Sequence, residues 1–330
     1  MVERERCALA VIEDGKWVGE IPGLGDTSHT TVKISGGYAY AISRDGYLSQ
    51  IDPKTHKIIR KVKVGNSGIG FNFIKDYVAV ANYDPGTVVI LDRDLNQVKT
   101  IETGSRNVGI KVLDNKLAFA LMDKNEVWVL DADQDFALAK KFTDVGKLPF
   151  DALLADRRYV VGFFNDTRLG IINLDTLEFK AMALDQGDSE TVLKIPHFGL
   201  WGIAGNTVFI PANKDKKLHL VSLPDFEYQG AIDLIGTPVF VAASPDGKTV
   251  AINYSGEKED FITIVDPVTR KVDRNIEAGK RIMHFRFSAS GKKLYLSSYF
   301  ENQMKILAVD SWQEQKPVDV PTPSGIFLVQ

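Results

Sequence analysis

A short strand-like motif that returns about every forty residues is the feature that most limits what this chain can fold into. A few alternating apolar residues lead to Asp, or a polar substitute, and then to a turn. Clear copies read Leu9-Ala10-Val11-Ile12-Glu13, Leu48-Ser49-Gln50-Ile51-Asp52, Val88-Val89-Ile90-Leu91-Asp92 and Val127-Trp128-Val129-Leu130-Asp131. Two more are Thr263-Ile264-Val265-Asp266 and Leu307-Ala308-Val309-Asp310, with degenerate ones at Ile171-Ile172-Asn173 and Leu220-Val221-Ser222. Successive copies lie 39 to 49 residues apart, close to the ~40–45 residues of a four-stranded propeller blade. Each interval also holds an apolar run, a Gly or Asp turn and a second run, as in Val239–Ala243, Pro245-Asp246-Gly247 and Thr249–Ile252. No window sustains a helical period, and Gly and Pro punctuate at strand spacing.

The expected fold is therefore all-β, one β-propeller domain over residues 1–330 with eight blades. The count falls to seven if a marker in the divergent 173–222 stretch is spurious. The first marker has no inner strands before it, and Ser324-Gly325-Ile326-Phe327-Leu328-Val329 has no marker after it. The two termini are expected to complete one blade together, which removes an exposed sheet edge.

Composition narrows the function. Hydrophobic residues are 44% of the chain, enough for a large core without a disulfide or structural metal. The net charge of −3 is dispersed, so nothing favours nucleic acid as a partner. Cys7 is the sole cysteine, which excludes an intrachain disulfide and argues against a zinc-thiolate cluster. It reads as a buried strand thiol. Met1-Val2-Glu3-Arg4-Glu5-Arg6 lacks the apolar region of a secretory signal, and no stretch approaches the ~20 apolar residues of a membrane span. As given, the chain is expected to be soluble, and it is compatible with a mature form whose export signal has been removed.

Inner strands of a propeller converge on the axis, so the residues just before each are the natural site candidates. They read Asp26-Thr27-Ser28-His29, Asn66-Ser67-Gly68, Ser105-Arg106-Asn107, Pro149-Phe150-Asp151, Pro196-His197, Thr237-Pro238-Val239-Phe240, Arg281-Ile282-Met283-His284 and Pro323-Ser324-Gly325. Three of the five histidines, His29, His197 and His284, fall in this set, while His56 and His219 lie elsewhere. Neutral imidazole is a good iron ligand and titrates near neutral pH. Other templates fail: there is no Gly-x-Ser-x-Gly, no His-Glu-x-x-His and no phosphate loop. Gly65-Asn66-Ser67-Gly68-Ile69-Gly70 lacks the helix a dinucleotide loop needs and reads as the loop into the second blade. The marker Asp residues recur too regularly to be a carboxylate cluster and read as turn formers.

The mouth loops carry a resemblance. Gly23-Leu24-Gly25-Asp26-Thr27-Ser28-His29, Ser43-Arg44-Asp45-Gly46, Gly65-Asn66-Ser67 and Asn82-Tyr83-Asp84-Pro85-Gly86 begin an ordered set. Pro149-Phe150-Asp151-Ala152-Leu153, Pro196-His197-Phe198-Gly199-Leu200-Trp201, Pro238-Val239-Phe240-Val241 and Pro323-Ser324-Gly325-Ile326-Phe327 continue it. Over nearly the whole chain this set resembles the haem d1 biosynthesis proteins that are similar to the eight-bladed d1 domain of cytochrome cd1 nitrite reductase.

That resemblance implies a periplasmic protein of denitrification that binds haem d1 or a late iron tetrapyrrole precursor. Its implied protein partners are other haem d1 maturation proteins and cytochrome cd1 nitrite reductase. His29 matches the proximal iron ligand and His197 a distal-pocket histidine. The other distal histidine of the reductase is replaced by Phe150-Asp151, as in the biosynthetic family. That replacement, and the absence of Cys-x-x-Cys-His, argue against nitrite reduction.

The residue chemistry suits that reading. Phe150, Trp201, Phe240, Tyr83 and His284 would wall an apolar cavity, with Asn66 beside it, and Arg44 and Arg106 would meet peripheral carboxylates. Asp151 and His197 are the candidate acid/base pair, worth typically ~10²–10⁴-fold. Three readings follow: an enzyme that oxidises or modifies the precursor, a carrier that delivers the cofactor, and a YVTN-like lactonase or interaction scaffold.

Overall fold

The computed structural model describes residues 1–164, 166, 168–184, 202–213 and 215–329. These residues form an eight-bladed β-propeller: seven four-stranded antiparallel meanders and one three-stranded sheet. Every marker motif is the third strand of its blade, including the degenerate ones at Arg168–Asn173 and Lys217–Ser222. The eight-blade count therefore holds.

The second and third strands are the most thoroughly buried because both faces meet apolar neighbours, which explains their continuous apolar runs. In Thr87–Asp92 every residue but the last is buried. The marker side chains do turn the chain. Asp92 Oδ1 accepts the N–H groups of Asp94 and Asn96, and Asn173 and Asp266 each accept two N–H groups in the same way. These are Asx turns, in which a short acceptor side chain satisfies backbone donors that the ladder cannot reach.

The chain divides into two compact units. The first holds Met1–Ile34, Pro53–Lys57 and Leu200–Gln330. It contains blades five to seven and the blade closed by the termini. There, Val2 N–H donates to the Gly325 carbonyl at 2.8 Å and Ser324 N–H to the Val2 carbonyl at 2.9 Å, so the last segment pairs with Val2–Glu3 as an inner strand. Ala10, Met304, Ile306, Val318 and Val320 form the apolar seam beside that blade. The closure expected from the unmatched termini is present.

The second unit holds Ser35–Asp52 and Ile58–Gly199. Its largest core runs through blades two to four and includes Phe119, Leu121, Phe150, Tyr159 and Phe163, all at most 1% exposed. At ~1.5–3 kcal/mol for each large apolar side chain buried, such seams are the main adhesive between adjacent blades.

Cys7 corrects the sequence reading. It is half-buried and sits at φ 55° between the 3₁₀ turn Arg4–Arg6 and the strand Ala8–Glu13. The strand pattern begins one residue later, because the chain must reverse there to place Ala8 opposite Glu3. No helix of the described residues is long and apolar enough to cross a membrane.

Candidate functional site

The inner strands share one irregularity. In four blades a β-bulge sets two residues opposite one: Gly109 and Ile110, Phe150 and Asp151, Val239 and Phe240, Met283 and His284. Bulges re-aim side chains and are frequent beside functional sites. Asp151, Phe240 and His284 occupy the second bulge position of their respective strands. Three residues singled out from the sequence thus share one structural role.

In the first unit the bulges are held by side chains on the neighbouring strand. Asn253 Oδ1 accepts the Phe240 N–H at 2.9 Å, and Asn253 Nδ2 donates to the Ile282 carbonyl at 2.7 Å. Ser297 Oγ accepts the His284 N–H at 2.8 Å and donates to the His284 carbonyl at 3.1 Å. The His284 ring meets Phe240 edge-on at 5.2 Å between centroids and Phe327 at 6.0 Å. Burial, aided by the Arg286 charge, holds the His284 pKa down to about 3. Its Nδ1 accepts the Ile326 N–H at 3.2 Å. The neutral ring therefore carries its proton on Nε2 and can offer a ligand a donor, not a metal lone pair.

His29 is built differently. It ends the 3₁₀ turn Thr27–His29, capped by Asp26, whose carboxylate accepts the Ser28 N–H at 2.8 Å. Burial works against the Asp26 carboxylate, but the Ser28 hydrogen bonds and the His29 charge hold its pKa below the usual value. The buried Thr27 hydroxyl donates to the Arg4 carbonyl at 2.8 Å and ties the turn down. The half-buried His29 ring places Nδ1 3.3 Å from Ser28 Oγ. Positively turned Gly23 and Gly25 lead the chain into this loop.

In the second unit Tyr83 lies beneath two guanidinium groups, with Arg44 Cζ 5.0 Å and Arg106 Cζ 5.9 Å from its ring centroid. Burial raises the Tyr83 hydroxyl pKa far above its ordinary range, with the two arginines opposing and Asp151 and Asp123 assisting. The two arginines are not equivalent. Arg106 makes a fork-to-carboxylate pair with Asp123, at 2.6 Å and 3.0 Å to Oδ1, which lowers the Asp123 pKa. Arg44 has no carboxylate partner among the described residues, and its Nη1 is buried without an acceptor.

Asn66 is exposed and donates to the Asp84 carboxylate at 3.1 Å. Phe150 is 1% exposed and packs edge-on against Phe164 at 4.3 Å, so it supports the bulge from within. Asp151 is 6% exposed, with Oδ1 accepting the Ala152 N–H at 2.8 Å. It lies near Tyr159, a fully buried residue whose hydroxyl has no partner among the described residues. A Cβ at Gly109, where φ is +60°, would stand 2.8 Å from that hydroxyl and 3.1 Å from the Phe150 carbonyl. Only glycine lets blade three approach the Asp151 bulge so closely.

His197 and Trp201 lie outside the described residues. Sequence reasoning missed Asp123, Asn253, Ser297 and Tyr159. Asp123 was within reach, because it occupies the same turn of its blade as Asp45 and Asp84. Asn253 and Ser297 were not, since their importance follows from standing opposite a bulge. Among the described residues no group of three or more His, Cys, Asp or Glu could hold a metal ion.

The eight-bladed β-propeller is the fold of a cytochrome d1-type domain. The family described as "Cytochrome D1 heme domain" matches residues 1–330. Protein NirF of Stutzerimonas stutzeri is 32% identical over 99% of this chain and 90% of its own length. Protein NirF of Pseudomonas aeruginosa is 30% identical over 94% and 85%. The dihydro-heme d1 dehydrogenase of the latter organism is 26% identical over 89% and 62%. A solved structure of the dihydro-heme d1 dehydrogenase NirN in complex with DHE shares the fold, with a TM-score of 0.84 at 21% identity over 98% of this chain and 73% of that one. The chain belongs to the cytochrome d1 haem domain family and, within it, to the NirF proteins.

Proposed function

We propose that this protein binds haem d1, or a late precursor of it, in the periplasm during synthesis of that cofactor and carries out a late oxidative step on it. The observation that carries the reading is membership of a haem d1 domain family over residues 1–330, with His29 on a tied-down turn immediately before the first inner strand. The residues present suit an iron tetrapyrrole. His29 would hold the iron, with Ser28 Oγ beside Nδ1 to orient the ring, as a partner outside the coordination sphere does for ligating histidines. The buried Nη1 of Arg44, which has no acceptor among the described residues, suits a peripheral carboxylate. Phe240 and the Nε2–H of His284 supply an apolar wall and one donor.

The iron macrocycle supplies the redox chemistry when bound, and an external acceptor takes the electrons. The chain's own residues bind, orient and handle protons. Asp151 would accept or return a proton through its carboxylate, with His197 as the second acid/base group. Tyr159 places near that carboxylate a hydroxyl that has no partner among the described residues. The carrier reading, delivery to cytochrome cd1 nitrite reductase without conversion, is favoured by one observation: Asp151 Oδ1 already serves the bulge through the Ala152 N–H.

Titration with haem d1 and with its precursors, followed by the Soret band and by mass analysis of extracted pigment, tests both. Stoichiometric binding is expected, weakened about tenfold or more in His29→Ala, the scale of losing one metal bond or strong polar contact. Unaltered affinity in that variant refutes the iron-ligand role. Conversion by wild type but not by Asp151→Ala, at equal binding, supports the enzyme; binding with no new product in either supports the carrier.

A further inference from the structure

The first unit contains a cavity of about 350 Å³ at the far end of its inner strands. Val32–Ile34, Ala242, Ala243, Pro245, Arg286, Phe287, Phe327 and Leu328 line it. On the strand Ile282–Phe287, Arg286 stands four residues beyond the first position, roughly 13 Å along at ~3.3 Å per residue. The Pro245 and Gly291 turns lie beside each other at this end. The cavity is therefore distinct in strand position from the loop that carries His29.

Its chemistry is unusual in one respect. Arg60, Arg106, Arg157, Arg168, Arg274 and Arg281 each reach a carboxylate. Arg286 has neither a hydrogen-bond nor an ion-pair partner among the described residues. It is withdrawn from solvent enough that burial lowers its pKa from the ordinary value. Withdrawing a charge from water without a partner is costly. Apart from Arg286 and Lys33, the walls are apolar side chains and strand backbone. Such walls cannot replace the water shell of a small inorganic anion, but they suit a short hydrocarbon tail. The volume is at the lower end for small-molecule pockets.

We propose that this cavity binds a small monocarboxylate with an apolar tail, its carboxylate on the Arg286 fork and its tail against Phe287, Phe327 and Leu328. The site goes beyond the tetrapyrrole reading and does not depend on it. Guanidinium and carboxylate match as a two-bonded pair, and the aromatic and aliphatic walls select for the tail.

Calorimetric titration of the full chain, without any tetrapyrrole, with hexanoate, hexan-1-ol and inorganic phosphate tests this. Hexanoate is expected to bind saturably and at least about tenfold more tightly than either comparator, the scale of one charge-assisted pair. Arg286→Met should weaken hexanoate by a similar factor. Leu328→Glu, at a partly exposed position near the chain end, should block the site by supplying a carboxylate internally, and it keeps the test open if Arg286→Met does not fold. Absence of hexanoate binding to wild type, undiminished binding by either variant, or phosphate binding as tight as hexanoate overturns the proposal. Haem d1 and hexanoate should bind additively. Mutual exclusion would assign Arg286 to the tetrapyrrole's own carboxylates and overturn a separate site.

Discussion

Replacing Asn253 by Ala tests whether bulge support on the neighbouring strand is what presents Phe240 and His284. Asn253 is 1% exposed and serves two blades at once, accepting from the Phe240 N–H and donating to the Ile282 carbonyl. Truncation leaves one buried donor and one buried acceptor unpaired, at ~1–3 kcal/mol each. With partial relaxation the expected loss is about 2–4 kcal/mol. A chain of this length loses roughly 2 °C of Tm per kcal/mol, so the transition should fall by about 4–8 °C. Thermal unfolding by circular dichroism reads this directly.

Asn253→Asp sharpens the test. The carboxylate keeps the acceptor for Phe240 but faces the Ile282 carbonyl without a proton to donate. Burial and that carbonyl should raise its folded pKa above the unfolded value. Its penalty is then absent below the unfolded pKa, grows between the unfolded and the folded pKa, and is fully present above the folded one. The Asp variant should approach wild type below about pH 4, under the unfolded Asp pKa, and resemble Ala at pH 8. An Ala variant within about 0.5 kcal/mol of wild type, the range of inert surface changes, would refute the reasoning, as would a pH-independent Asp variant.

Three further outcomes follow from particular contacts. Gly109→Ala forces a Cβ against Tyr159 Oη and the Phe150 carbonyl at positive φ; a loss of about 1–3 kcal/mol is expected, read by urea unfolding, and a silent substitution would contradict the close approach. Glu3 is fully buried with both carboxylate oxygens unpartnered among the described residues, and burial, then the nearby Glu20, raises its pKa. Its penalty is absent below the unfolded carboxyl pKa and fully present above the folded one, so Glu3→Gln should stabilise at pH 8 more than at pH 5 in paired melts; an equal effect at both would sink the assignment. Asp123→Asn frees the Arg106 fork at a half-exposed surface pair, so stability should move by at most ~1 kcal/mol, while haem d1 affinity should change measurably if Arg106 competes between Asp123 and the ligand.

How much of this was legible in advance depends on the range of the interaction concerned. The blade count, the third strands and the termini sharing one blade follow from a local pattern repeated at fixed spacing, and burial on both faces writes that pattern into consecutive apolar residues. The capped turn at His29 is also local, since Asp26 caps its own neighbour. Cys7 escaped because a single reversed residue between two elements leaves no periodic trace.

The residues that organise the site escaped for a related reason. Asp151, Phe240 and His284 stood out as individual side chains, but the bulge that gives them a common position exists only when two strands are in register. Asn253 and Ser297 are ordinary polar residues in strand sequences and become necessary only because a backbone N–H opposite them loses its ladder partner. The pairing of Arg106 with Asp123 likewise joins a loop residue to a turn 17 residues away in sequence. Sequence alone determined the architecture and the candidate side chains, because both are encoded in spacing and residue type. Tertiary structure decided which of them are engaged and which remain available, because hydrogen bonds across strands are set by register and burial, not by proximity along the chain.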